Sequence, residues 1–231
     1  MGEINYTIRN RICRARIQAS EEPVEVVKAK GGMLVTGGRD NLIKIWDIHS
    51  LELKRTLRGH SNWIRDVVIS KKFIISASKD RTVRIWDKNS GKCLRVFNGH
   101  SGDILNLDIQ GNMLASASSD ATIKLWDLET GQEIRTFKGH ARIVSQVKIV
   151  KNRIISASWD HVVKIWDLNT GECLESYEIH YDAINALACL GKKLIATGDQ
   201  SKIIRIWDRE NHTVVKSLAG IHKRMIMQIE I

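Results

Sequence analysis

The sequence is poor in proline and has no long apolar run. A single proline stands among 231 residues, beside 16 glycines and a hydrophobic share of 43%. This apolar content predicts a compact globular chain with a sizeable core. No segment has the apolar length that a membrane-spanning helix needs. The first 20 residues carry four arginines and no apolar run, so we expect no secretory signal, no membrane partner and a cytoplasmic or nuclear location.

Motifs of catalysis are also missing. The chain has no GxSxG, no glycine-rich phosphate loop and no HExxH pattern. We therefore expect no enzymatic activity, no cofactor and no metal.

A dipeptide repeated at a constant interval dominates what is present. Five Trp-Asp dipeptides follow one another at intervals of 40, 40, 40 and 41 residues, starting at Trp46, and a sixth at Trp159 lies outside this series. Gly-His precedes the next Trp three times, and a lone His180 opens the fifth repeat. A period of this length with these end residues predicts one four-stranded blade of a β-propeller per repeat. In the second repeat, turn residues and short apolar runs predict strands over 63–69, 73–78, 82–86 and 93–97.

Two further columns recur in each repeat. A hydroxyl stands ten residues before each Trp, and an Asp stands six residues before it in the first four repeats. Ser201 replaces this Asp in the fifth repeat. This change either weakens the hydrogen bonding of that blade, which we favour, or frees His180 for another role.

With these columns the chain resembles the WD-repeat family over residues 19 to about 222. The resemblance implies that the His, hydroxyl, Asp and Trp of one blade form a buried hydrogen-bonded tetrad. Such a network satisfies groups that would be costly to bury alone. It is therefore structural, and its repetition argues against a Ser-His-Asp catalytic triad. The three predicted tetrads are His60, Ser76, Asp80 and Trp86; His100, Ser116, Asp120 and Trp126; and His140, Ser156, Asp160 and Trp166.

The cysteines follow the same repeat. Cys13, Cys93 and Cys173 are 80 residues apart and occupy one column of different blades, so they cannot meet as neighbours. Cys189 lies alone in an apolar stretch. We expect four reduced cysteines.

The repeats divide the chain and leave both ends incomplete. We predict a single propeller of five complete blades, all-β, with partial blades at both termini. Either the termini share a composite blade and close a six-membered ring, or the chain is part of a larger propeller, which we favour. An open form would expose strand edges and self-associate. The predicted segments are a partial blade with strands c and d over 1–18, repeats over 19–58, 59–98, 99–138, 139–178 and 179–220, and the start of a sixth repeat over 221–231.

Propellers of this family commonly bind ligands at the top face, through residues before the turn Asp and near the start of strand a. Transferred to this chain, these positions include four residues of the first two blades and one of the fourth. Arg and Lys recognise phosphate and carboxylate, and large aromatic residues anchor interfaces. The predicted peptide-binding residues are Arg39, Trp63, Arg65, Lys79 and Trp159.

Three functions are compatible with the sequence. The first is a non-catalytic scaffold that binds an acidic or phosphorylated peptide. In this chain the connections between the first and second strands of a repeat are short. They resemble those of the propellers of F-box/WD-repeat proteins, which are substrate receptors of ubiquitin ligases, although no F-box is present. The second is association with RNA or ribonucleoprotein, since the net charge is +10. Five of these charges come from a Lys or Arg at the same position of the third strand in each repeat. They are therefore a feature of the repeat and say little about a ligand. The third is a truncated propeller without independent binding.

Overall fold

The strands of the computed structural model form five four-stranded sheets. The structure describes residues 17–191, 193–220, 226 and 229. In each sheet four consecutive strands, here called a, b, c and d, pair antiparallel with their neighbours in chain order. This confirms the predicted all-β fold of five four-stranded blades.

The blades belong to two compact units, which meet in the chain between Gly99 and His100. The first unit contains blades 1 and 2, and the second contains blades 3, 4 and 5. Blade 1 consists of β1 Val24–Lys30, β2 Met33–Gly38, β3 Ile43–Asp47 and β4 Leu53–Leu57, and blade 2 of β5 Ile64–Ile69, β6 Phe73–Ser78, β7 Val83–Asp87 and β8 Cys93–Phe97.

The second unit repeats this pattern three times. Blade 3 consists of β9 Ile104–Gln110, β10 Met113–Ser118, β11 Thr122–Asp127 and β12 Glu133–Lys138. Blade 4 consists of β13 Val144–Val150, β14 Arg153–Ser158, β15 Val162–Asp167 and β16 Cys173–Glu178. Blade 5 consists of β17 Ile184–Leu190, β18 Leu194–Asp199, β19 Ile204–Asp208 and β20 Thr213–Leu218. The strands predicted for the second repeat agree with blade 2 to within one residue at each end.

Burial changes from strand to strand within a blade. Strand b of blade 2 reads FIISAS and is buried at five of its six residues, whereas strand d reads CLRVF and is buried only at Phe97. Strand b is therefore a core strand of its blade, whereas strand d is largely exposed to solvent. In the first unit the core joins Val35 and Ile43 of blade 1 to Ile64 and Ile74 of blade 2.

Glycine allows the closest approach between these two blades. A Cβ at Gly37 would lie 2.5 Å from Cγ2 of Ile64, the first residue of the next strand a. In the second unit, a Cβ at Gly198 would lie 2.6 Å from Cγ2 of Ile226. Ile226 thus packs on blade 5 as Ile64 packs on blade 1, and it follows His222 by the same interval as Ile64 follows His60.

Most of the predicted partial blades lie outside the described residues. Of the segment 1–18, only Ile17 and Gln18 are described, and Ile17 is buried in a cluster with Leu34 and Trp46. Of the segment 221–231, only Ile226 and Ile229 are described.

The start of each strand a carries a β-bulge, which lies beside the turn from strand b to strand c. We call this end of a blade its top. In blade 2 the pairing with strand b jumps from Ile64 to Asp66, so that Arg65 is the extra residue. A bulge of this kind re-aims the side chain of the extra residue. The equivalent residues of blades 1 to 5 are Glu25, Arg65, Leu105, Ser145 and Asn185.

Candidate functional site

The predicted tetrad of blade 2 is a continuous hydrogen-bonded chain. Trp86 Nε1 donates to Ser76 Oγ at 2.8 Å, and Ser76 Oγ lies 2.7 Å from His60 Nε2. His60 Nδ1 lies 2.7 Å from Asp80 Oδ2. Because an ionised carboxylate can only accept, Nδ1 carries the proton and Nε2 accepts from the serine hydroxyl.

The tetrads of blades 3 and 4 have the same geometry. The imidazole to carboxylate distance is 2.8 Å in both, and the imidazole to hydroxyl distance is also 2.8 Å. The indole to hydroxyl distance is 2.9 Å in blade 3 and 2.8 Å in blade 4. The members are His100, Ser116, Asp120 and Trp126 in blade 3, and His140, Ser156, Asp160 and Trp166 in blade 4.

Burial and hydrogen bonding shift the protonation of these groups. Burial alone would raise the pKa of the Asp160 carboxyl, but hydrogen bonds, first of all from His140, lower it to about 2. The pKa of Asp80 and of Asp120 is lowered in the same way, with threonine hydroxyls adding to the histidines. Burial lowers the pKa of His60 and outweighs the opposing effect of Asp80. The His60–Asp80 pair is therefore a neutral imidazole with an ionised carboxylate at neutral pH.

These tetrads have no access to a substrate. The three serines Ser76, Ser116 and Ser156 are 0% exposed. A nucleophile must reach its substrate, whereas these hydroxyls are saturated by an indole and an imidazole. Within the part of the chain that the structure describes, no three His, Cys, Asp or Glu side chains are placed to hold a metal ion.

Blade 1 builds its network without a histidine. Ser20 occupies the His position, and its hydroxyl donates to Asp40 Oδ2 at 2.8 Å. Lys44 Nζ donates to the same oxygen at 2.7 Å. Trp46 Nε1 donates to Thr36 Oγ1 at 3.1 Å, so the indole to hydroxyl bond is retained.

Blade 5 corrects the interpretation of Ser201. Asp199, two residues earlier, lies 2.7 Å from His180 Nδ1 and takes over the role of the turn Asp. His180 Nε2 lies 2.7 Å from Thr197 Oγ1, so this histidine is not free for another role. Ser201 instead donates to Asp182 at 2.7 Å. Among the described residues Trp207 Nε1 has no acceptor, so the fourth member is not joined to this network.

The predicted ligand-binding positions lie at the tops of the blades. In blade 2 the amide of Lys79, which precedes the turn Asp, donates to the carbonyl of Trp63 at 2.9 Å. The equivalent bond joins Trp159 to Ile143 in blade 4 at 2.9 Å. This backbone bond brings the residue before the turn Asp beside the start of strand a.

Four predicted residues come together at the top of blades 1 and 2, and we call Arg39, Trp63, Arg65 and Lys79 the cationic cluster. The guanidinium carbon of Arg39 lies 4.2 Å from the centroid of the Trp63 ring, and Lys79 Nζ lies 4.6 Å from it. Both cations are attracted by the ring quadrupole. The indole therefore holds charges of the two blades close to each other.

Glu25 joins the fourth member to the cluster. Its Oε1 accepts from Arg39 Nε at 2.6 Å, and its Oε2 accepts from Arg65 NH1 at 3.1 Å. Sequence reasoning missed Glu25 because the column was counted from the Gly-His of each repeat, and blade 1 has Ser20 in the His position. Counting 40 residues back from Arg65 would have found it.

Trp159 belongs to the second unit and lies at the top of blade 4. Its Nε1 donates to Oδ1 of Asn185, the bulged residue of blade 5, at 2.9 Å. Asn185 is 7% exposed, and the indole is half-buried. The ring is thus held by a neighbouring blade as the Trp63 ring is.

Several members of the basic column of strand c are used within their own blades. Lys44 Nζ donates to the carbonyl of Ala19 at 2.6 Å, and Lys124 Nζ donates to Glu133 at 2.7 Å. Arg205 NH1 lies 3.9 Å from Asp199 Oδ2, the carboxylate that His180 also contacts. These charges stabilise blades and are not gathered at one surface.

Comparison with known proteins gives the family. The WD domain, G-beta repeat family (WD40) matches residues 13–47, 51–87, 91–127, 131–167 and 171–208, which is well over half of the chain. A computationally designed protein, Ika8, is similar in structure with a TM-score of 0.82 and 29% identity, covering 93% of this chain and 67% of that chain.

Curated relatives match only short segments. The nuclear distribution protein PAC1-2 of Postia placenta is 51% identical over 41 residues, 18% of this chain and 10% of the relative. The protein transport protein sec13 of Aspergillus oryzae is 51% identical over 51 residues, 18% of this chain and 17% of the relative. SEC13 of Saccharomyces cerevisiae is 49% identical over 45 residues, 18% of this chain and 15% of the relative.

WD40 propellers generally bind proteins and are typically non-catalytic. Of the described residues, none form a helix long and apolar enough to cross a membrane. The five matched repeats, the five four-stranded blades and the Trp-Asp period together place this chain: it belongs to the WD40 repeat family.

Proposed function

We propose that this WD40 chain is an interaction scaffold that binds an acidic or phosphorylated peptide at the top of blades 1 and 2. The observation that carries the proposal is the convergence of Arg39 and Lys79 on the Trp63 ring, at 4.2 and 4.6 Å from its centroid. The ring holds both cations close together despite their mutual repulsion, so positive charge is concentrated at this point of the surface. A ligand with clustered negative charge would be stabilised by both.

The exposure of the cluster supports a binding role. The Arg39 side chain is 41% exposed and the Arg65 side chain is 29% exposed, so both guanidinium groups can be reached from solvent. No carboxylate of the described residues forms an ion pair with Lys79. An indole flanked by a guanidinium and an ammonium group combines an apolar anchor with charged donors, and large aromatic residues and Arg are common in the centres of protein interfaces.

A role as substrate receptor of a ubiquitin ligase is a narrower form of the same proposal. It rests on the resemblance of the a–b connections to those of F-box/WD-repeat propellers. These connections are two residues long in blade 3, between Gln110 and Met113, and in blade 4, between Val150 and Arg153. Such a receptor would recognise a phosphorylated segment of its substrate.

Peptide pools test the proposed site. We would immobilise peptides with random flanks around a fixed phosphoserine, glutamate or serine and measure capture of the purified chain. Arg65→Glu should abolish capture by the phosphoserine pool. Lys71→Glu is the matched control, since it makes the same charge change at an exposed residue in the a–b turn of the same blade. Unchanged capture by Arg65→Glu would contradict the site.

The same assay separates nucleic-acid binding from peptide binding. A pool of single-stranded RNA should compete poorly with the phosphoserine pool. If RNA binds while no peptide pool does, and if its affinity falls steeply between 50 and about 200 mM salt, counterion release dominates and the proposal is wrong.

A further inference from the structure

Glu25 gives the cationic cluster an anion of its own. Its two carboxylate oxygens pair with Arg39 at 2.6 Å and with Arg65 at 3.1 Å. The Glu25 side chain is only 18% exposed, less than either arginine. The β-bulge at the start of β1 turns it toward the cluster, since it is the extra residue between Val24 and Val26. Glu25 therefore occupies the place that an acidic group of a ligand would take.

We propose that Glu25 is an internal competitor that sets an affinity threshold which phosphorylated ligands exceed and carboxylate ligands do not. This inference rests on the proposed function, because it concerns the same site. A glutamate or aspartate of a ligand would exchange one carboxylate for another at each guanidinium. The carboxylate already present is tethered, so its effective concentration is in the millimolar range or above, and a free carboxylate gains little by replacing it.

A phosphoryl group is a stronger competitor for the same donors. It carries about 1.5 to 2 negative charges at neutral pH and presents three acceptor oxygens, against one charge and two oxygens for a carboxylate. It can engage both guanidinium groups in bidentate fashion and still accept from Lys79. The three cations of the cluster and the Glu25 carboxylate together carry a net charge of about +2, which balances that of a phosphate dianion.

The affinity threshold also exists if a ligand binds without displacing Glu25, because the Glu25 carboxylate then repels the negative charge of the ligand. Arg39 uses its Nε and Arg65 one terminal nitrogen for Glu25. A guanidinium has five N–H donors, so others remain for a ligand. A singly charged ligand there would gain from the arginines and lose to Glu25. Only a group with more than one charge and several acceptors is bound with a clear surplus.

Glu25→Gln removes the charge and keeps the shape of the side chain. We would titrate the wild-type chain, Glu25→Gln and Glu21→Gln with the phosphoserine and glutamate pools in calorimetry. Glu21→Gln is the control, because it removes the same charge from an exposed residue four positions away. Two partly exposed ion pairs are lost, so we expect Glu25→Gln to bind the phosphoserine pool roughly tenfold more tightly. The glutamate pool should bind measurably only to Glu25→Gln.

Two results would overturn the inference. One is equal binding of the phosphoserine and glutamate pools by the wild-type chain. The other is an unchanged or weaker affinity of Glu25→Gln while Glu21→Gln behaves as the wild type. If Arg65→Glu abolishes binding in the same experiment, the site stands and only the role of Glu25 fails. If Arg65→Glu in the Glu25→Gln background still binds the phosphoserine pool, the proposed function itself fails. Thermal unfolding of each variant checks that the blades remain folded.

Discussion

The Asp199 carboxylate in blade 5 lies 2.7 Å from His180 Nδ1, although it is two residues out of the column that holds Asp80, Asp120 and Asp160 in other blades. Its second oxygen accepts from the amide of Ile203 at 2.9 Å. In blade 2 the equivalent amide, that of Thr82, donates to Asp80 at 2.9 Å. One carboxylate at a displaced position thus makes both bonds of the usual turn Asp, because the ladder of strand b places it at the same end of the blade.

Replacing Asp199 tests whether it has the role that the turn Asp has in the other blades. Asp199→Ala leaves the buried His180 imidazole without its carboxylate partner, and we expect the free energy of unfolding to fall by about 2 to 4 kcal/mol. Ser201→Ala in the usual column removes a hydroxyl that bonds only to Asp182 on the surface, so a loss below about 0.5 kcal/mol is expected. Urea titration of both variants measures the difference. Equal losses would contradict the assignment.

The serine at the centre of a tetrad should be costly to remove. Ser76→Ala deprives the Trp86 indole of its acceptor and the His60 imidazole of its partner. Each unsatisfied buried group costs about 1 to 3 kcal/mol, so we expect the two groups together to cost about 2 to 6 kcal/mol. Ser61→Ala, at an exposed residue of the same blade, is the control and should leave the urea midpoint in place. A loss below that of the control would show that the network adds no stability.

Stability should fall with pH in two stages. Burial lowers the pKa of His60 and of His180 below the ordinary value of 6.5, so below pH 6.5 the unfolded chain binds protons that the folded chain does not. The free energy of unfolding then decreases by up to about 1.4 kcal/mol per pH unit for each such proton. The carboxyl of Asp160 has its pKa lowered from 3.8 to about 2, so its contribution is complete above 3.8 and lost as the pH falls toward 2.

Urea unfolding at fixed pH values between 7.5 and 2.5 measures both stages. We expect a midpoint that is constant above about pH 7, lower at pH 5 and lower again at pH 3. A midpoint that rises between pH 7 and 5 would mean that the buried histidines are protonated in the folded state. Asp160→Asn should reduce the second stage.

The repeat period was sufficient to predict the blades, because four strands and their turns recur at a fixed spacing. It placed β6 and β8 of blade 2 at their observed bounds. The resemblance to the WD-repeat family implied the tetrads of three blades, and the structure joins their members by hydrogen bonds. Residues that recur at fixed positions of every repeat indicate contacts within a blade, because both members of such a contact recur together.

Contacts that depart from the column could not be predicted in this way. Asp199 was overlooked because it is displaced, and Glu25 because its repeat lacks the Gly-His from which the column was counted. The stacking of Arg39 on Trp63 joins two blades, and no repeated spacing encodes such a pair. Residues that differ between blades can give specificity for a ligand, because the repeated positions are alike in most blades and present the same groups.

The contact between Gly198 and Ile226 predicts how substitutions at these two residues affect the stability of blade 5. A Cβ at Gly198 would lie 2.6 Å from Cγ2 and 2.9 Å from Cβ of Ile226, too close for either atom to stay in place. We therefore expect Gly198→Ala to lower the free energy of unfolding by about 1 to 3 kcal/mol, as overpacking does elsewhere. Adding Ile226→Ala should recover part of this loss, so the double variant should be more stable than the sum of the single variants predicts. Strictly additive losses in urea titrations would mean that Ile226 does not pack against Gly198 of blade 5.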